Sequence, residues 1–374
     1  MTGSVLLAVR RLVDGAGTDG PAWLRVRDGL VVERGTGEPP APADRDLGTV
    51  VPGHLDMHVH GALGTDFGTL GADPGPAVEH HARAGSTTLV ASVATAALDT
   101  TAARLRELVP VVRSGALAGV HLEGPWLSAA RCGAHDPLLL RAPHPRDVAA
   151  LLAAGDGTVR MVTLAPELPG APAAVAELVA AGVTVALGHT DADADTVRRA
   201  LDAGATVFTH LFNGMPPLHH RRPGPVGVAL SDDRATVELI ADGHHVADEA
   251  LALARRAAPG RVALVSDAMA ATGLGDGRYR LAGSDVLVES GVANLADGSS
   301  LAGSTATVAD VVRRLRARGV GLPELVSAST RAPAAALGLA GDPLQIGRPA
   351  DLVELRDEGP HRVMRRGRWL ASSS

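Results

Sequence analysis

The sequence predicts an α/β protein: a (β/α)8 TIM-type barrel with a small β-sandwich domain formed by the N- and C-terminal segments. Short apolar runs rich in β-branched residues recur through the middle of the chain, each followed by a longer Ala-, Leu- and Arg-rich segment with helical spacing, which is the rhythm of βα units. About eight such runs can be marked, enough to close a parallel barrel. The 374 residues exceed a usual single domain yet accommodate a barrel of about 250 residues plus an appendage.

Taken in order, residues 1–50 lack the alternation but hold a strand-like piece at 23–27. The stretch 341–374 is similar, with a piece at 351–355, and the two are expected to pair into one β domain that leaves 51–340 for the barrel. Barrel strands are expected at 55–60, 87–93, 118–123, 159–164, 183–189, 206–211, 237–241 and 262–267. Helices at 145–154, 172–181 and 193–203 each open at Pro or Asp and run into a Gly. After the eighth strand, 279–295 reads as extended hairpins and 305–318 as the closing helix, and the final serines form a short low-complexity tail.

Composition narrows the chemistry. With 46% hydrophobic but 2% aromatic residues, the core must be filled by Ala, Val and Leu. The net charge of -6, with acids and bases interspersed, supplies no basic stripe for nucleic acid. No basic region followed by an apolar stretch opens the chain and no apolar run reaches about 18 residues, so a soluble cytoplasmic protein without membrane association is expected. Cys132 is the sole cysteine, which excludes an internal disulfide and a zinc site of several thiolates. All 35 basic residues are Arg; without Lys there is no Schiff base, no P-loop lysine and no carboxylated lysine to bridge metals.

Barrel enzymes carry their active sites at the carboxyl ends of the strands. His58 and His60 alternate on one face at the end of the first expected strand, Glu123 ends the third, His189 the fifth, His210 the sixth and Asp267 the eighth. Taken singly, a lone His58 is an ordinary exposed or satisfied histidine and Asp267 a helix cap. Four imidazoles and two carboxylates at one mouth are instead a metal site, since buried carboxylates are costly unless paired or coordinated.

The run Pro52-Gly53-His54-Leu55-Asp56-Met57-His58-Val59-His60-Gly61 resembles the HxH signature of the amidohydrolase superfamily. Five further motifs narrow the resemblance to the N-acetylglucosamine-6-phosphate deacetylases, over roughly residues 50 to 355. They are His121-Leu122-Glu123-Gly124-Pro125-Trp126, Thr209-His210-Leu211-Phe212-Asn213-Gly214-Met215, Ala241-Asp242-Gly243-His244-His245, Ser266-Asp267-Ala268-Met269 and Leu301-Ala302-Gly303-Ser304.

That resemblance implies hydrolysis of the acetamide of N-acetyl-D-glucosamine 6-phosphate to glucosamine 6-phosphate and acetate, in amino-sugar catabolism and cell-wall recycling. It implies a divalent metal, zinc first with Fe, Mn or Co as alternatives, at one or two ions per subunit. Glu123, His189 and His210 would bind the principal ion, with His58 and His60 holding a second beside Glu123. Asp267 would act as general base and then acid, and His135 would contact the substrate and polarise its carbonyl. Ala134, Asn213, Gly214, His245, Leu301, Ala302, Gly303 and Ser304 would complete the sugar and phosphate contacts. Arg221 aligns with a phosphate-binding Arg that the family lends to the neighbouring subunit of a homodimer, whereas Arg222 keeps the reading of a solvated loop residue.

The chain departs from the family pattern at His54, usually apolar and here a packing variant on the face of Asp56, His58 and His60; at Gly188-His189-Thr190-Asp191-Ala192; and at Gly214. His80, His81, His144, His219 and His220 read as surface or loop residues. The competing enzyme readings are a deacetylase of the galacto epimer and another N-acyl amidohydrolase. A non-catalytic barrel kept for binding is the alternative from another class, although such proteins usually lose ligands and here every metal and acid/base position is present.

Overall fold

The computed structural model describes residues 3–339, 343–356 and 359–371. Eight strands, Leu55–Val59, Thr88–Ala94, Gly119–Glu123, Val159–Leu164, Thr184–Leu187, Val207–Phe208, Thr236–Leu239 and Val262–Leu264, lie side by side in chain order, each parallel to the next. Past the last strand the chain meets the first: the Asp267 amide donates to the His58 carbonyl at 2.9 Å and the His60 amide to the Ala268 carbonyl at 2.8 Å. These two bonds draw the open seam together at the carboxyl end of the barrel.

Two apolar layers explain why polar residues collect there. Every residue of Leu55–Val59 and Gly119–Glu123 is buried, as strands covered on both faces must be. Inside the barrel, Leu55, Met57, Val90, Met161, Ala186, Val207, Ala263 and Val265 pack together, with Ala334 and Leu337 against them. Outside, Leu105, Leu108, Val148, Leu151, Val175, Leu178 and Val197 seat the helices on the strands. The interior is thus packed with hydrocarbon, and the candidate ligand side chains stand above it, at the strand ends.

The expected helices appear as Pro145–Gly155, Ala171–Ala180 and Ala194–Asp202. Asp193 caps the third by accepting from the Thr196 amide, and His144 caps the first through Nδ1 and the Arg146 amide. The closing helix, Val308–Ala317, begins three residues later than 305 because Thr307 and Asp310 form a capping box. The hairpins are Gly277–Leu281, Ser284–Glu289 and Val292–Leu295, one antiparallel sheet set against Met269, Ala271 and Ala302.

Both chain ends build one seven-stranded sheet. Its order is Arg368–Trp369, Gly359–Arg365, Leu352–Arg356, Arg45–Pro52, Val5–Val13, Asp19–Arg27 and Leu30–Thr36. The C-terminal strands join the N-terminal ones where Leu352 pairs with Pro52. The sheet curls around Leu7, Val9, Leu24, Val26, Val31, Leu47, Leu352 and Met364, and Leu30 at its far edge bridges Pro349. The expected boundary at 341 and the final serines lie outside the described residues. Among those described, no helix is long and apolar enough to cross a membrane.

His81 corrects the sequence reading. It is fully buried on the inner face of the helix Gly75–Arg83 beside Ala77, Val78 and Ala82, with Nε2 3.0 Å from the Gly61 carbonyl. His54 is buried as well, but at the amino end of the first strand, where its Nδ1 meets Ser329 Oγ at 2.9 Å and leaves the metal-ligand face.

Candidate metal centre

Two expected ligands and the expected general base sit at strand ends in left-handed backbone, with φ of +46° at His189, +28° at His210 and +49° at Asp267. Non-glycine residues there carry about 1–3 kcal/mol of strain each, and such strain concentrates at functional sites. The turn that imposes it swings each side chain inward over the hydrocarbon layer. Close backbone approach completes the cradle: a Cβ on Gly133 would lie 3.1 Å from His189 Cε1, and one on Gly214 would lie 3.0 Å from its Nδ1.

Two ligand groups result, one of Glu123, His189 and His210, the other of His58, His60 and Asp267. In the first, His189 Nε2 and His210 Nε2 are each 3.2 Å from Glu123 Oε1 and 3.1 Å from each other. In the second, His58 and His60 Nε2 are 3.2 Å apart and lie 3.4 and 3.3 Å from Asp267 Oδ1. Glu123 joins them, since its Oε2 is 3.1 Å from His60 Nε2.

The donor chemistry fits a cation. His189 Nδ1 lies 2.7 Å from the Arg131 carbonyl, which can only accept, so Nδ1 carries the proton and Nε2 presents a lone pair. His58 Nδ1 donates in the same way to Glu238 Oε2 at 3.0 Å. A tetrahedral ion with bonds of about 2.1 Å holds its ligand atoms about 3.4 Å apart, close to the separations found here. The two groups therefore suit a divalent metal ion.

Opposite charges also tie the cluster together. Burial penalises the charged forms, but Glu123, Asp267 and Glu238 outweigh it at His58 and raise its pKa well above the usual value. At His60, burial is likewise outweighed by Asp267 and Glu123, giving a pKa of about 9. Reciprocally, burial would raise the Asp267 and Glu123 carboxyls, yet the surrounding histidines hold both well below the ordinary carboxylate range. His135 differs: burial dominates and its pKa falls, leaving a neutral ring. The Thr95 amide donates to its Nδ1 at 3.3 Å, so Nε2 carries the proton, 3.4 Å from Glu123 Oε2.

A cavity of about 190 Å³ opens above the two groups. Of the residues expected from sequence, His60, Glu123, Ala134, His135, His189, His210, Asn213, Gly214, His245, Asp267, Leu301 and Gly303 line it. His58 is packed beneath, and Ala302 and Ser304 are buried behind the wall. Ser304 instead supports the strand end that carries Asp267, its amide donating to the Asp267 carbonyl at 2.8 Å and its hydroxyl to the Ser266 carbonyl at 2.7 Å. Arg221 stands outside, exposed, with Nη1 2.8 Å from His220 Nε2. Among the described residues no Arg lines the cavity.

Several contributors have no role assigned to them from the sequence. Asp242 accepts from the His244 and His245 amides and holds His245 Nδ1 at 2.7 Å, and Leu281, Ala282 and Ser300 add to the wall. His121, buried beneath the centre, bonds to Ser92 Oγ and Thr163 Oγ1 at 2.9 and 2.8 Å. Glu238, fully buried, had a signal in the sequence: a lone carboxylate inside the apolar strand Thr236–Leu239.

A sequence model of the Amidohydrolase family matches residues 49–370. The chain is 38% identical, over 95% of its length and 96% of the relative's, to an N-acetylgalactosamine-6-phosphate deacetylase of Escherichia coli O157:H7. It is also 38% identical to an N-acetylglucosamine-6-phosphate deacetylase of Bos taurus, over 85% of this chain and 82% of that one. Among solved structures, a mutant N-acetyl-D-glucosamine-6-phosphate deacetylase of Mycobacterium smegmatis in complex with N-acetyl-D-glucosamine-6-phosphate superposes with a TM-score of 0.95. The two are 47% identical, with 98% of this chain and 99% of that chain covered.

Proposed function

The chain belongs to the amidohydrolase family, and from that premise we propose that it hydrolyses the acetamide of N-acetyl-D-glucosamine 6-phosphate, releasing acetate and glucosamine 6-phosphate. The observation that carries this reading is the convergence of Glu123, His189, His210, His135 and Asp267 on one cavity. Glu123, His189 and His210 would hold a principal ion and His58 with His60 a second, and zinc suits such nitrogen and carboxylate donors. When bound, a divalent ion supplies Lewis acidity, which acidifies water and polarises a carbonyl.

The chain's own groups do the rest. Asp267, kept as a carboxylate, accepts a proton from the attacking water and returns it to the amide nitrogen, so the C–N bond breaks with a neutral amine leaving. His135, a neutral donor at Nε2, would hydrogen-bond the acetyl oxygen as negative charge develops on it. His245, tied down by Asp242, and Asn213, whose Nδ2 donates to the His210 carbonyl at 3.2 Å, orient the sugar.

The phosphate suits a guanidinium, and among the described residues the cavity wall has none. The exposed Arg221 would reach it in the site of the neighbouring subunit, which makes a homodimer the working assembly. A phosphorylated substrate and a chain with a single cysteine support a cytoplasmic location. Acetate release measured over N-acetylglucosamine 6-phosphate, its galacto epimer and the unphosphorylated sugars tests the reading. The gluco 6-phosphate should give the highest kcat/KM; a higher value for the epimer would reassign the sugar, and no release from any of them would sink the activity.

A further inference from the structure

We infer that Glu238 is a positioning residue that tunes the His58 metal subsite, an inference that rests on the metal-site reading above. Glu238 lies in the strand Thr236–Leu239 between Val237 and Leu239, all three fully buried. A carboxylate survives there only with partners. It has two, both on Oε2: His58 Nδ1 at 3.0 Å and the His210 backbone amide at 3.1 Å. Its other oxygen, Oε1, is buried with no partner.

One oxygen thus touches both ligand groups, but not equally. Toward His58 the contact is to the ligand ring itself: accepting from Nδ1 fixes the tautomer, aims Nε2 at the ion, and makes that nitrogen more basic. Toward His210 it reaches only the backbone, which has other restraints. The Leu211 amide donates to the Glu238 backbone carbonyl at 2.9 Å, and the Asn213 amide closes a turn onto the His210 carbonyl at 3.0 Å. Losing the Glu238 side chain should therefore release the His58 ring while His210 stays in place. His60 Nδ1 and His210 Nδ1 are buried without a partner, so among the described residues His58 is the ligand ring backed by a carboxylate.

The test is a zinc titration of the full-length, metal-stripped protein against a chromophoric chelator. The wild type should show two equivalents. Glu238→Ala should weaken the second by about 10-fold to 100-fold, the usual effect of removing such an outer partner, and leave the first nearly unchanged. Glu238→Gln keeps an acceptor oxygen at the same reach and should restore most of the loss. A purely structural role would instead weaken both equivalents together, and that outcome, or an unchanged second equivalent in Glu238→Ala, overturns the inference alone. A wild type that takes up no zinc overturns the metal reading and this inference with it.

Discussion

Replacing Glu123 by Ala should weaken the principal metal about 100-fold, and the size of the effect follows from its contacts. Oε1 faces His189 and His210 at 3.2 Å each, while Oε2 faces His60 at 3.1 Å, so one carboxylate serves both groups. A zinc site worth about 10 kcal/mol over its three protein ligands assigns each about 3 kcal/mol, or about 100-fold in affinity. Thermal unfolding with and without metal reads this directly, because an ion that binds only the folded state stabilises it by RT ln(1 + [M]/Kd). At a free zinc level of about 1,000 times the wild-type Kd the gain is about 4.1 kcal/mol, and for the variant at the same level it is about 1.4 kcal/mol. An unfolding entropy of about 0.8 kcal/mol/K for 374 residues turns these into Tm shifts of about 5 °C and about 2 °C. Comparing each protein with its own metal-free form cancels any effect of the substitution on packing. Equal shifts in the two proteins would refute Glu123 as a ligand of the principal ion.

Three further outcomes are expected. Asp267→Asn should keep metal in the Glu123 group while kcat falls by about 100-fold or more, and kcat near wild type in steady-state assays would move proton transfer to another group. Arg221→Ala should lower kcat/KM for the 6-phosphate by about 10-fold to 100-fold and leave the unphosphorylated sugar nearly unaffected. Remixing it with Asp267→Asn subunits should recover activity beyond the sum of the separate preparations; verified heterodimers without that gain would exclude action across the interface. The His245–Asp242 pair should impose a pH dependence on stability. Burial opposes the His245 charge, but Asp242 outweighs it and raises the pKa above 6.5. The raised group contributes fully below the unfolded value of about 6.5 and loses its contribution as pH rises through the folded pKa. The stability gap between wild type and His245→Gln should accordingly be largest near pH 6 and shrink on the alkaline side; urea melts showing the opposite trend would contradict it.

The barrel was legible because βα alternation is written in residue types, and the convergence of the candidate ligands was legible because polar residues stood at the ends of apolar runs. His54 shows where that reasoning stops. Alternation put it on the face of His58 and His60, but its height along the strand decides its neighbours, and at the amino end those are Ser329 and the packed interior. His81 was legible in principle, since its spacing from Ala77 and Val78 marks the inner face of a helix. The atoms that fix the tautomers of His189 and His135, the Arg131 carbonyl and the Thr95 amide, belong to the backbone. No residue type announces them; only the folded path of the chain does.

The terminal sheet stays incomplete through most of the chain's synthesis. Arg45–Pro52 is paired on one side with Val5–Val13 and on the other with Leu352–Arg356. The partner of Pro52 is Leu352, which is synthesised 300 residues later, or about 15 to 60 s at usual elongation rates. Throughout that interval the second edge of Arg45–Pro52, with Val50 and Val51 side by side, is an open template for a strand from another nascent chain. Until Leu352–Arg356 emerges, pairing within the chain competes at this edge with the strands of neighbouring chains.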